Sequence, residues 1–157
     1  MMKKQYFYLM LTILPALTMC HNENSGKKAN RDLSGFKTIH QCYIAVDKKD
    51  TAFLNLLTYG KEKVKGHLLI RYSGKPKNEG NFTGQFKGDT LFLDYHFYIG
   101  ADSLRKFTNP LALRKKQDSL ILGVGNIVNN LGRSYFDKHT PISFERGKFH
   151  FGRINCK

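Results

Sequence analysis

Asp94, His96 and Tyr98 alternate along one stretch of the chain, and Ser103 and Arg105 follow shortly after. Side chains two residues apart leave the same face of a strand. A carboxylate, an imidazole and a phenol would then stand in a row, with an arginine on the neighbouring strand. Facing into a barrel, such a row anchors a small molecule among aromatic groups; facing water, it is the polar side of an ordinary amphipathic strand. Asp94, His96, Tyr98 and Arg105 are therefore the candidate ligand-binding residues. A hydrolase built around Asp94 and His96 is the catalytic alternative. No Gly-x-Ser-x-Gly elbow and no glycine-rich phosphate loop ahead of a helix accompanies them. The expectation is a protein that is not an enzyme and carries no cofactor. His67, His96, His139 and His150 stand singly, without His-x-His or His-x-x-x-His spacing, so no metal site is expected.

The cysteines are Cys20, Cys42 and Cys156. Cys42 and Cys156 lie at the two ends of the folded part, and in an oxidising compartment such a pair forms a disulfide. Closing a loop of this size contributes about 4–5 kcal/mol by chain-entropy reasoning. A cysteine-based metal site is the alternative, but no close second ligand of metal-site spacing stands near either residue.

Cys20 has a different setting. Lys3 and Lys4 precede an uncharged stretch, Tyr6 to Ala16, which continues through Leu17-Thr18-Met19 to Cys20. A basic start and a short apolar run are the marks of a signal peptide. The run through Met19 is about 14 residues, short of the roughly 20 that span a bilayer. Leu17-Thr18-Met19-Cys20 resembles a lipobox, at which a bacterial lipoprotein is acylated on cysteine and cut, although Met19 stands where Gly, Ala or Ser is usual. The expected outcome is a signal peptide over residues 1–19 and lipid attachment at Cys20. An ordinary signal peptide cut nearby is the alternative. Several acyl chains anchor a protein stably where one binds only marginally. The expected location is thus the bacterial cell envelope, anchored to the outer membrane, with the face left open.

These residues need elements to position them. Residues 20–37 are rich in Asn, Lys, Gly and Ser and read as a tether, and residues 38–157 read as one domain. Short runs of Phe, Tyr, Ile, Val, Leu and Thr are separated every 8–12 residues by Gly, Asn, Asp and Lys, an all-β pattern. The predicted strands are Gln41–Val46, Thr51–Tyr59, Lys63–Tyr72, Gly80–Lys87, Thr90–Ile99, Ser103–Arg114 and Ser119–Asn126, with short pieces near Ile142–Phe144 and Lys148–Arg153. An antiparallel meander of about eight strands removes its exposed edges by closing, so a small lipocalin-like β-barrel is expected. In Thr90–Ile99, Leu91, Leu93, Tyr95, Phe97 and Ile99 form one face, and Phe92, Asp94, His96 and Tyr98 form the other. Gly66, Gly84, Gly123 and Gly125 fall inside predicted strands, where glycine permits the bend a small barrel needs. Asp50-Thr51, Asp89-Thr90 and Asp118-Ser119 each open an apolar run, as expected of turns in which Asp accepts from the backbone.

Lys77-Asn78-Glu79-Gly80-Asn81-Phe82-Thr83-Gly84, then Gly88-Asp89-Thr90-Leu91 running into Asp94-Tyr95-His96-Phe97, then Ser103-Leu104-Arg105, resemble small lipoproteins of Bacteroidetes. Those carry a lipobox cysteine, a Cys-Tyr strand matched here by Cys42-Tyr43, and a Gly-Asp-Thr-Leu…Asp-Tyr…Phe segment. The resemblance covers Cys42 to Gly125 and the cysteine near the C-terminus. It implies an envelope address and a β fold and supplies no information about activity. Tyr98-Ile99-Gly100 departs from it, since relatives carry an acidic residue after the aromatic strand.

The chain has 26 Lys and Arg against 12 Asp and Glu, a formal charge of +14; without Lys3 and Lys4 the mature chain carries +12. Such an excess attracts anionic lipid, lipopolysaccharide or acidic glycan. Nucleic acid is not expected of an exported chain with no binding module. The expected partners are the bilayer, through acylated Cys20, and an anionic lipid or glycan, with the chain a monomer. The functional expectation is a non-catalytic envelope lipoprotein that binds a small apolar or anionic molecule. The alternative is a basic module docking on acidic glycan, lipopolysaccharide or a partner protein.

Overall fold

A computed structural model describes residues 37–156. The signal peptide expected over residues 1–19, the lipid attachment at Cys20 and all but the last residue of the tether lie outside the described residues. The folded part is all-β. Its strands are β1 (Ile39–Asp47), β2 (Asp50–Tyr59), β3 (Lys63–Arg71), β4 (Asn78–Lys87), β5 (Thr90–Ile99), β6 (Asp102–Lys116), β7 (Ser119–Leu122), β8 (Ile127–Asn130), β9 (Arg133–Phe136) and β10 (His150–Ile154). Eight of them close an antiparallel barrel in the order β1-β10-β7-β6-β5-β4-β3-β2, and β8 and β9 form a separate two-stranded sheet.

The meander is tight because its hairpins are short. Lys48, Gly88, Gly100 and Gln117 begin two-residue loops with φ of 56°, 63°, 65° and 54°, the left-handed conformation that matches strand twist. Alternation then decides what is inside. Leu91, Leu93, Tyr95 and Phe97 of β5 are buried, while Asp94 and Tyr98 are exposed and His96 half-buried. Ile99, assigned by alternation to the buried face, is exposed at the hairpin end.

The centre of the barrel is filled by side chains. Phe82, Tyr95, Phe149 and Phe151 are each buried, with Leu54, Leu56, Leu91 and Leu113 around them. An eight-stranded barrel is just wide enough for its side chains to fill it. Tyr95 stacks on Phe97 at 4.7 Å, and its hydroxyl donates to the Leu68 carbonyl at 2.9 Å. Burial pushes that phenol well above its ordinary pKa. Gly66 makes the filling possible, since a Cβ there would come within 2.5 Å of the Phe82 ring and 1.9 Å of the Asn55 carbonyl oxygen.

Three sequence expectations need correction. Gly123 and Gly125 lie beyond β7, which ends at Leu122 rather than Asn126. Ile142–Phe144 is no strand; only Ser143 bridges, to Val124. Between β7 and β10 the chain instead leaves the wall and builds the β8–β9 hairpin. The third correction concerns Asp50, whose carboxylate does not cap its own turn. Its Oδ1 accepts from the Ser73 amide at 2.7 Å, and its Oδ2 accepts from the Lys148 ammonium. The Lys148 ammonium also stands 3.6 Å from Asp47 and 5.6 Å from the centre of the Tyr72 ring. Lys148, the segment after β3 and the β1–β2 turn are thereby tied together at one end of the barrel.

This tie sets a pH dependence. The bond to Lys148 holds the Asp50 carboxyl below its ordinary value, and the bond to Asp50 raises Lys148. A depressed carboxyl stabilises the fold fully above its unfolded pKa of 3.8 and ceases to do so as pH falls through the lower folded value. The raised amine contributes fully below its unfolded value of 10.5 and loses that contribution as pH rises past it. Asp50→Asn is expected to lower the melting temperature at pH 7 and to flatten its decline between about pH 5 and pH 2, read by circular dichroism. An unchanged acid limb would show that the tie carries no stability.

Candidate functional site

The segment between β7 and β10 is held against the outside of the barrel by its own small core. Val124 and Ser143 exchange two backbone bonds of 2.8 Å. The Asp137 amide donates to the Asn126 carbonyl at 2.8 Å, and the Asp137 carboxylate accepts from the His139 amide and the Thr140 hydroxyl, both at 2.9 Å. Ile142, Phe144 and Phe136 press onto the strand exit where Gly123 and Gly125 leave room. A Cβ at Gly123 would meet Ile142 at 2.5 Å, and one at Gly125 would meet Phe136 at 2.8 Å. These two glycines therefore serve close approach of side chains, not bending of a strand.

Between this arm and the barrel wall lies a cleft of about 730 Å³, within the range of small-molecule sites. Thr90, Phe92 and Asp94 of β5, Gln85 and Lys87 of β4, and Pro110 and Arg114 of β6 form the wall. Tyr135, Phe136, Lys138, Ile142 and Phe144 form the facing side. Arg114 lays its guanidinium over the Phe144 ring at 4.0 Å from the centroid, and its Nε stands 3.7 Å from an Asp89 carboxylate oxygen. Lys87 stands 5.7 Å from the Phe92 ring centre. Such cation–π contacts orient a cation beside an apolar surface without neutralising it. The cleft thus offers an aromatic floor with cationic groups at its side, balanced in part by Asp94 and Asp137.

The four candidate residues are not gathered around one hollow. Asp94 lines the cleft. His96 faces outward and shares a 2.8 Å bond between its Nδ1 and the Thr108 hydroxyl. Tyr98 lines a separate hollow of about 240 Å³ with Glu79 and Asp102. Arg105 sits in a bulge, because pairing passes from Phe97↔Phe107 to Ile99↔Asp102 and Ser103 to Lys106 loop out between. Asp102 Oδ1 caps that loop by accepting from the Leu104 and Arg105 amides at 2.9 and 3.3 Å.

Arg114, Phe144 and Phe136 belong to the cleft and were not picked out by sequence reasoning. For the hairpin that carries Phe136 the one sequence signal is Gly132 in the turn Asn130-Leu131-Gly132-Arg133, whose two central residues have φ of 49° and 75° in the structure. That is a hairpin loop of the primed type, but with Leu where Asn is usual. Cys42 and Cys156 do form the expected disulfide, with Cα atoms 5.2 Å apart. No protein-family model, curated protein or solved structure matches the chain.

Phe136→Ala is expected to cost the arm roughly 1–3 kcal/mol of local opening free energy while sparing the barrel. Hydrogen exchange should then speed up at β8 and β9 amides and stay unchanged in β2 to β5. Uniform acceleration, or none at the arm, would contradict the packing described.

Proposed function

We propose that this chain is a non-catalytic, lipid-anchored protein of the bacterial envelope that holds a small amphiphile in the cleft outside its barrel. The observation that carries the reading is Arg114 stacked on Phe144 at the edge of an aromatic-floored cleft. An apolar body lies along Phe92, Pro110 and Ile142, and an anionic head meets Arg114 and Lys87. The net positive charge draws such anions toward the protein. The lipobox-like Leu17-Thr18-Met19-Cys20, the Cys42–Cys156 bridge and the resemblance to small Bacteroidetes lipoproteins support the envelope address.

The β8–β9 tip favours a second reading. Leu131 is 97% exposed beside Arg133, and Ile127, Val128 and Tyr135 are exposed behind it. This pairing of apolar and basic groups suits docking on lipopolysaccharide, whose acyl chains and phosphates match it.

Titration calorimetry with laurate, on the Cys20→Ser chain so that no acyl anchor competes, separates the two. Under the first reading laurate binds one to one, Arg114→Gln weakens it about tenfold through the lost charge-assisted contact, and Leu131→Asn leaves it unchanged. No laurate binding, with lipopolysaccharide binding that Leu131→Asn weakens, would replace the first reading by the second.

A further inference from the structure

The expectation that no second ligand stands close to either cysteine needs correction, because His40 precedes Cys42 by two residues and the strands bring it to the bridge. His40 and Cys42 are two apart on β1, so both side chains leave its outward face. The tail after β10 brings Cys156 to the same place. His40 Nε2 lies 3.8 Å from Cys42 Sγ, and the ligand atoms of His40, Cys42 and Cys156 all fall within 4.8 Å of one another. Asn55, opposite Cys42 on β2, holds the imidazole over the bridge through a 2.5 Å contact between its Oδ1 and His40 Nε2.

A tetrahedral zinc with bonds of about 2.0–2.1 Å to nitrogen and about 2.3 Å to sulfur separates adjacent nitrogen and sulfur ligands by about 3.6 Å, and two sulfurs by about 3.8 Å. The His40–Cys42 separation nearly meets the first requirement. Two sulfurs released from a disulfide relax to roughly van der Waals contact, which meets the second. The β1–β10 backbone pairing of Cys42, Tyr43 and Ile44 with Ile154, Arg153 and Gly152 keeps Cys156 close once the bond is open. His40 and Cys156 are exposed and Cys42 is half-buried, so an ion reaches them without disturbing the core.

We propose that opening the Cys42–Cys156 bridge converts this corner of the barrel into a three-ligand site for a thiophilic divalent cation of the zinc class. A dithiol reductant supplies two electrons and two protons to the bridge and leaves as its own disulfide. The two thiols release two protons as their sulfurs bind the ion. His40 breaks from Asn55, gives up its Nε2 proton to water as Nδ1 takes one from water, and offers the freed Nε2 lone pair. Water takes the fourth position. The same residues thus form a covalent staple when oxidised and a metal site when reduced.

Anaerobic titration of the phosphine-reduced Cys20→Ser chain with cobalt(II) tests this, with far-ultraviolet circular dichroism to follow the fold. One equivalent is expected to bind, with thiolate-to-cobalt absorption and the intense visible bands of tetrahedral cobalt, all displaced by zinc. The oxidised chain should show none of these. Even outer-shell partners of a ligand are worth 10–100-fold in metal affinity, so His40→Ala, which keeps both thiols, should weaken binding by at least about tenfold and alter the visible bands. A folded, reduced chain that takes up no cobalt would overturn the proposal. So would a His40→Ala chain with unchanged affinity and spectrum, or a chain that unfolds on reduction and is not refolded by zinc.

Discussion

Everything in this barrel depends on the first strand meeting the last. β1 and β10 share a short register, Cys42 to Ile44 against Ile154 to Gly152, and the disulfide staples its end across 114 residues of chain. Cross-linking a loop of that length contributes about 4–5 kcal/mol by chain-entropy reasoning, against a typical domain stability of only about 5–15 kcal/mol. At the other end of the same strand pair, Lys148 reaches Asp47 and Asp50. The seam is thus held covalently at one end and electrostatically at the other, and it closes the meander into a barrel.

Closure has a second consequence. With the edges joined, the inward faces of eight strands converge, and their aromatic and aliphatic side chains occupy the middle. The proposed recognition site then lies on the outside of the wall. The chain builds a feature there by interrupting the meander after β7: the glycines at 123 and 125 let Ile142, Phe144 and Phe136 close on the strand exit, and the β8–β9 arm stands off far enough to leave a cleft. The proposed amphiphile site and the proposed metal corner both lie on this outer surface, one over β4 to β6 and the other beside the seam.

Much of the barrel was legible because period-two alternation is a direct readout of burial. Leu91, Leu93, Tyr95 and Phe97 declared the inner face of β5, and the cysteine positions declared the seam. The arm was not legible: its strands are four residues long, β8 is exposed throughout, and in β9 Ser134 and Phe136 are half-buried, too short a run for alternation to declare a strand. Asp50 was misread for a related reason. Its turn position suggested a local cap, whereas its partners, Ser73 and Lys148, come from distant segments and are set by tertiary register alone. Asp94 reached the cleft, but Arg105 did not join it, because a bulge between the Phe97↔Phe107 and Ile99↔Asp102 pairs breaks the spacing that placed them on neighbouring strands. His40 escaped notice because His-x-Cys is not a usual zinc spacing, and only the strand geometry shows that residues two apart on β1 share the face of the bridge.

The central claim is that this protein recognises its ligand on the outer wall while its barrel stays packed. Methyl-resolved NMR during a laurate titration tests that claim most directly, since Ile142 belongs to the cleft and Leu54 and Leu56 to the interior. The account predicts shifts at the Ile142 methyls with those of Leu54 and Leu56 unmoved. Shifts concentrated at Leu54 and Leu56 would contradict it and place the ligand inside the barrel.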